Sequence, residues 1–210
     1  MTERLIDKPV SLFLDELASS APAPGGGSGA ALGGALGAAL VSMVCNLTIG
    51  KKKYADVEQD IKGILEKSES LRHKLMDLLQ ADVEAYTAVS QAMKMPRATD
   101  EEKAVRSEAM QKALKGATVV PLQIAEACAE VIALCRPAAE KGNKNAISDA
   151  GVAVLMAEAG LRSAALNVLI NLGWIDDQRF TTEKQRQLDT LLEGKPALRD
   201  QVYDYVVEKL

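Results

Sequence analysis

The chain has 210 residues, enough for one domain with a substantial core or for two small ones. Apolar residues make up 48% of it but aromatic residues only 3%, which favours closely packed helices over a β-sandwich or a barrel. The net charge of -4 leaves no general basic surface, so we expect no nucleic-acid partner.

A glycine-rich loop follows a short amphipathic helix that is predicted from Ser11 to Ser19. In residues 21–24 each proline disfavours the helical conformation of the residue before it, so this stretch is extended. Gly25-Gly26-Gly27 then permits close backbone approach to a ligand, although a tight turn is the simpler interpretation. The loop lacks the Lys-Ser/Thr pair of nucleotide-binding loops, and we expect Ser28 to cap the next helix.

The segment from Gly25 to Gly50 contains no charged residue. Small residues recur along it every four positions, at Gly29, Gly33 and Gly37. Residues four apart lie on one face of a helix, and a face without side chains lets another backbone approach closely. We therefore predict a buried Gly/Ala-rich helix at the centre of the fold.

A membrane span is the alternative interpretation of this segment, because its length suffices. Polar side chains at Ser42, Asn46 and Thr48 weigh against a span, and we expect no second apolar segment of that length. The three cysteines are spaced for neither a zinc site nor a redox pair, and we interpret them as reduced thiols of the core. We therefore expect a cytoplasmic protein without a membrane partner and without a metal.

A long amphipathic helix is predicted from Tyr54 to about Met93, with apolar residues in alternating steps of three and four. The same spacing also lands on Ser68 and Asp82. Burying a carboxylate within an apolar stripe costs free energy unless the carboxylate is paired or has a function that retains it. Asp82 is therefore either a structural carboxylate with a partner or a general acid/base whose pKa is raised by apolar surroundings.

The next helix is predicted from Asp100 to Cys135, with Thr99 or Asp100 as its cap. Pro121 should kink or divide this helix, because proline removes one backbone hydrogen bond. A polar loop from Lys141 to Asn145 follows.

Ser148 and Asp149 open another apolar helix, which runs to about Leu172. Its apolar stripe comprises Val152, Met156, Ala159, Ser163, Leu166 and Ile170. Two amphipathic helices, from Thr182 to Leu192 and from Pro196 to Lys209, complete the chain. We predict one all-α domain over residues 1–210, with a multi-helix, bundle-like core.

Several other polar residues have both a structural and a functional interpretation. Asp149 is either a first-turn capping residue or a ligand contact. Lys51 begins a basic cluster that is either a solvated helix end or an attractor of carboxylates. Asn167 and Asn171, four apart on an apolar helix, make core hydrogen bonds or bind a ligand. The only histidine, His73, is expected at the surface, which argues against mechanisms that need a catalytic histidine.

Five segments together carry a family resemblance. They are Ala23-Pro24-Gly25-Gly26-Gly27-Ser28, the stretch from Leu47 to Tyr54, the stretch from Ala81 to Tyr86, Gly142-Asn143 with Ser148-Asp149, and the stretch from Leu166 to Leu172. In this order, from near residue 10 to near residue 190, they resemble the C-terminal domain of formiminotransferase-cyclodeaminase and the free-standing bacterial methenyltetrahydrofolate cyclohydrolases.

The resemblance implies an all-α homodimer that binds folate at or near its interface, with Asp82 as the catalytic aspartate. It also implies a set of substrate-binding residues. These are Gly26, Gly27, Ser28, Lys51, Asn143, Ser148, Asp149 and Asn171, with Lys51 expected to receive the glutamate tail. No cofactor and no metal are expected, since the tetrahydrofolate derivative is itself the substrate.

The expected reaction is the reversible hydrolysis of 5,10-methenyltetrahydrofolate to 10-formyltetrahydrofolate. Formiminotetrahydrofolate cyclodeamination is the alternative, because it passes through a similar tetrahedral carbon. A non-catalytic helical interaction module is an alternative of another class. That alternative predicts an ion-paired Asp82 and no pocket between Asp82 and the glycine loop.

Overall fold

The computed structural model of the chain describes residues 4–210, and these residues form helices and loops without a β-strand. The α-helices are α1 (Val10–Leu17), α2 (Gly26–Asn46), α3 (Glu58–Met93), α4 (Asp100–Lys141), α5 (Ile147–Leu172), α6 (Gln178–Leu192) and α7 (Lys195–Lys209). Short 3₁₀ segments cover Leu5–Asp7, Lys52–Val57 and Lys144–Ala146. The predicted all-α fold class is confirmed.

As predicted, helix α2 lies at the centre of the fold, and the structure shows that it packs against α3, α4 and α5. Its contact with α5 is close because neither backbone carries bulk at the crossing. A Cβ on Gly37 would lie 2.9 Å from the Ala153 carbonyl oxygen, and one on Gly160 would lie 2.9 Å from the Ala30 carbonyl oxygen. Gly29 is different, since nothing lies within 4 Å of its Cβ position.

The apolar stripe of α3 is buried as its spacing predicts, including Ile61, Leu71 and Leu75. Ser68, the first polar residue in that stripe, is fully buried and shares a hydrogen bond of 2.8 Å with the hydroxyl of Ser42. This bond satisfies the polar group inside the core.

Helix α4 is uninterrupted from Asp100 to Lys141, so the predicted division at Pro121 and the predicted end at Cys135 are wrong. Pro121 cannot donate to the carbonyl of Ala117, four residues earlier. Asn171 on α5 supplies the missing donor, because its Nδ2 lies 2.7 Å from the Ala117 oxygen. The predicted cap is confirmed, since Thr99 forms a capping box with Glu102 at the start of α4.

The predicted stripe of α5 lies on the outside of the fold, which the spacing did not indicate. Val152, Leu166 and Ile170 are 46%, 68% and 63% exposed. The residues that α5 buries are mostly smaller, such as Ala153 and Ala157. Apolar residues occur on every side of α5, so hydrophobic periodicity cannot select its inner face, and the close approach of α2 selects the small residues.

Large apolar residues are also exposed on α2, at Leu36 and Met43, and at Leu47 directly after it. We call the exposed apolar residues of these two helices the α2/α5 face. By length and composition three helices, α2, α4 and α5, could cross a membrane, so the expectation of a single such segment is wrong. The share of each apolar window that is buried inside the fold is 61%, 61% and 50%.

Candidate active site

Asp82 on α3 lies against the first turn of α2. The Ser28 hydroxyl donates to Oδ2 of Asp82 at 2.9 Å, and the Ser28 backbone N–H also interacts with this carboxylate. A Cβ on Gly27 would overlap the Asp82 carboxylate, so only glycine leaves room for it. The first N–H groups of a helix have no partner within the helix and carry partial positive charge, which favours an anion here.

The structure corrects the predicted role of Ser28. The N-cap of α2 is Gly25, which has no side chain that could cap the helix, and the helix begins at Gly26. Ser28 is therefore already inside the helix, where it is fully buried and binds Asp82 instead of its own backbone.

Burial raises the pKa of Asp82 above its ordinary value, and the hydrogen bonds from Ser28 oppose that effect without cancelling it. No basic side chain among residues 4–210 forms an ion pair with Asp82. A carboxyl group whose pKa is raised exchanges protons more readily near neutral pH than an ordinary aspartate does. Asp82 therefore has the environment of a general acid/base.

A cleft of about 790 Å³ opens beside Asp82 and joins it to the glycine loop through Gly26 and Gly27. The walls come from α3, α4 and the C-terminal end of α5, and most of the lining is apolar. Two exposed aromatic side chains, Tyr86 and Trp174, line it as well. An apolar cleft with a few polar groups is typical of small-molecule sites. The unpaired Asp82 and this cleft both contradict the interpretation as a non-catalytic module.

Two amides on α5 line the cleft. The Nδ2 of Asn167 donates to the Ser163 carbonyl at 2.8 Å, and that of Asn171 donates to Ala117. Each amide thereby keeps its Oδ1 as an acceptor, suited to ring N–H groups. Asn167, beside Gly26, was absent from the predicted binding set; its spacing of four residues from Asn171 was the available signal.

The predicted binding residues fall into two groups. Gly26, Gly27, Ser28 and Asn171 lie with Asp82 around the cleft. Lys51, Asn143, Ser148 and Asp149 lie at or near the other end of α2, and a helix of 21 residues is about 30 Å long. Within one chain, the two groups cannot contact the same part of a small ligand.

Asn143 braces the loop that follows α4. Its backbone N–H donates to the Thr48 hydroxyl at 2.8 Å, and its Nδ2 donates to the Leu47 carbonyl at 2.9 Å. Its Oδ1 accepts from the Asn145 N–H, so both polar atoms of the amide take part in local structure. Nearby, Ser148 and Lys51 are exposed and Asp149 is half-buried.

The other candidate chemical groups are remote or inert. His73 is exposed, as predicted. All three cysteines are buried free thiols, and burial raises the pKa of Cys128 to about 12. No cluster of three metal-ligating side chains occurs among residues 4–210.

Comparison with known proteins identifies relatives along nearly the whole chain. The model of the formiminotransferase-cyclodeaminase family matches residues 9–190. A methenyltetrahydrofolate cyclohydrolase from Methylorubrum extorquens is 56% identical over 204 residues, which cover 97% of this chain and 98% of that protein. A formimidoyltransferase-cyclodeaminase from Sus scrofa is 36% identical over 191 residues, which cover 91% of this chain but only 35% of that protein.

Among solved structures, formiminotetrahydrofolate cyclodeaminase from Thermotoga maritima is similar to this chain with a TM-score of 0.81 and 33% sequence identity. The match covers 97% of this chain and 96% of that one. The arrangement of helices described above is therefore shared with that protein.

Proposed function

The chain belongs to the formiminotransferase-cyclodeaminase family, and we propose that it hydrolyses 5,10-methenyltetrahydrofolate reversibly to 10-formyltetrahydrofolate. The observation that carries this proposal is the 56% identity, over nearly the full length of both chains, to a methenyltetrahydrofolate cyclohydrolase. Residues 1–210 act in this proposal as one domain that needs no cofactor and no metal. The proposal includes a cytoplasmic location, with no membrane or nucleic-acid partner.

The substrate dictates what the site must do. In 5,10-methenyltetrahydrofolate one electron-poor carbon bridges N5 and N10, and the amidinium is positively charged. The Asp82 carboxylate attracts that cation in an apolar cleft, where electrostatic interactions are stronger than in water. The acceptor oxygens of Asn167 and Asn171 and the backbone of Gly26 bind the pterin ring in this arrangement.

Asp82 serves as base and then as acid. A water molecule adds to the bridging carbon and gives one proton to Asp82, which yields a neutral carbinol. Asp82 then returns this proton to N5 as the bond from carbon to N5 breaks. The carbinol hydroxyl releases its own proton to solvent and becomes the formyl oxygen on N10. Ser28 keeps the carboxylate oriented through both steps.

Replacement of Asp82 by asparagine tests this role, because the amide has nearly the same shape but cannot accept the proton. We expect turnover to fall by about 10²- to 10⁴-fold. The assay is the loss of methenyltetrahydrofolate absorbance, corrected for spontaneous hydrolysis. A variant that folds normally and retains turnover within about threefold would show that Asp82 is not the base.

Cyclodeamination is the second candidate function, because the Thermotoga maritima protein and the Sus scrofa protein both carry that name. In that reaction the bond from N10 to the formimino carbon forms, and Asp82 would protonate the amino nitrogen on that carbon, which then leaves as ammonia. Parallel assays with formiminotetrahydrofolate and methenyltetrahydrofolate separate the two. Release of ammonia from the first substrate, without hydrolysis of the second, would replace the cyclohydrolase proposal.

A homodimer formed through the α2/α5 face is a further part of the proposal. Exposed Leu36, Met43, Leu155 and Leu166 are atypical of a solvated surface and typical of the core of an interface. A two-fold axis near the middle of α2 brings the C-terminal end of one α2 to the N-terminal end of its partner. Lys51, Ser148 and Asp149 would then approach the cleft of the other subunit.

Mixing of two inactive variants tests this shared site. Asp82→Asn and Asp149→Asn each damage every site of their own dimer. A mixed dimer would contain one site with both defects and one intact site, so an equal mixture should recover about a quarter of wild-type activity. Full activity of Asp149→Asn alone, or no recovery on mixing, would contradict the shared site.

A further inference from the structure

The cleft extends well beyond the space that a pterin ring needs. It runs from Asp82 along α3 past Val89 to Met93, and α4 forms its opposite wall. At a rise of 1.5 Å per residue, Asp82 and Met93 are about 16 Å apart along the axis of α3. Arg106 of α4 lines this remote end, where its Nε donates to the Met93 carbonyl at 3.4 Å.

Arg106 has no acidic partner among residues 4–210, whereas Lys103 and Lys115 of the same helix each have one. Lys103 pairs with Asp100 at 2.8 Å, and Lys115 pairs with Asp177 at 2.6 Å. Arg106 is half-buried, forms no ion pair among residues 4–210, and makes one long hydrogen bond through Nε. It is also the only lysine or arginine among the described residues that lines the cleft. The terminal nitrogens of its guanidinium are therefore available to an anion.

The proposed substrate has its anionic groups at a matching distance. The bridging carbon must lie within about 3–4 Å of the Asp82 carboxylate, directly or through one water. Built from bonds of about 1.3–1.5 Å, the aminobenzoyl-glutamate portion extends about 12 Å further to its carboxylates. Apolar side chains, including Met110 and Leu114, line the intervening cleft and suit the aromatic ring.

We propose that the Arg106 guanidinium binds a carboxylate of the glutamate tail and thereby selects folates that carry a charged tail. This inference rests on the proposed function, since it takes a folate as the ligand. It replaces the expectation that Lys51 receives the tail within the same chain, because Lys51 lies beyond the far end of α2. A guanidinium fits a carboxylate with two parallel hydrogen bonds, which no other group at this end of the cleft can supply.

A binding cycle with two ligands and three variants tests the proposal without requiring turnover. The ligands are 10-formyltetrahydrofolate and its analogue in which both tail carboxylates are carboxamides. Trp174, the only tryptophan of the chain, lines the cleft and reports binding through its fluorescence. The variants are Arg106→Gln, Arg106→Lys and Lys112→Gln, the last being a control for charge at an exposed site on the same helix.

Wild type should bind the charged ligand about 10- to 100-fold more tightly than the neutral analogue. Arg106→Gln should remove this preference, Arg106→Lys should restore part of it, and Lys112→Gln should behave as wild type. Equal binding of both ligands by wild type, or the same loss for both ligands in Arg106→Gln, would overturn the role of Arg106. Absence of hydrolysis in a wild type that still prefers the charged ligand would instead count against the proposed reaction alone.

Discussion

Gly27→Ala isolates the contact between Asp82 and the N-terminus of α2. The added Cβ would lie 2.5 Å from the Asp82 carboxylate carbon, whereas ordinary contacts begin at 3.4 Å. The carboxylate must therefore move by at least about 1 Å, since attraction turns to steep repulsion below van der Waals contact. The fold should survive, because the atoms that must yield belong to the end of one side chain.

The displacement affects catalysis in two ways. It lengthens the hydrogen bond of 2.9 Å from the Ser28 hydroxyl, and a hydrogen bond to a charged group contributes about 1.5–3 kcal/mol. It also misplaces the base, and an error of about 1 Å can cost about 10²-fold in rate. We expect kcat/KM for methenyltetrahydrofolate to fall by about 10²-fold.

The assay follows methenyltetrahydrofolate absorbance over a range of substrate concentrations, with circular dichroism as the check on folding. Gly63→Ala is the matched control, because Gly63 lies within α3 and nothing lies within 4 Å of its Cβ position. This control should keep full activity and gain about 0.5–1 kcal/mol of stability. If Gly27→Ala keeps kcat/KM within about threefold, a tight placement of Asp82 over α2 is not needed for the reaction.

Three further predictions follow from the same contacts. Ser28→Ala removes a hydrogen bond that favours the ionised form of Asp82, so the pKa of Asp82 should rise and the acid limb of the plot of kcat against pH should move to higher pH. An acid limb that stays in place would show that Asp82 is not the group that titrates there. Burial raises the folded-state pKa of Asp82, so its stabilising contribution is complete below the unfolded pKa and is lost as pH rises through the folded pKa. Asp82→Asn should therefore raise the thermal midpoint at neutral pH and raise it less at acidic pH, and a gain that does not change with pH would contradict this linkage. Leu155→Glu on the α2/α5 face should yield a folded monomer in sedimentation, and an unchanged dimer would exclude this face as the interface.

The spacing of residues along single helices was sufficient to predict the parts of the core that α2 and α3 contribute. The alternation of three and four along α3 identified both its buried face and the two polar residues within it, Ser68 and Asp82. The charge-free, glycine-rich composition of α2 likewise predicted a central helix in close contact with another backbone. These properties are local, because the geometry of one helix converts spacing directly into a face.

Packing between distant segments determined the features that spacing along one helix did not predict. Pro121 leaves the carbonyl of Ala117 without a backbone donor, and the side chain of Asn171 on α5 supplies that donor. The helix α4 therefore continues through Pro121. The inner face of α5 could not be predicted from its sequence, since apolar residues occur on every side of the helix and the contact with α2 selects the small ones. The cleft that joins Asp82 to Gly27 and Arg106 forms only when α2, α3 and α4 pack together. The spacing of residues within one helix does not indicate which side chains of other helices will lie against that helix, so the cleft could not be predicted from the sequence.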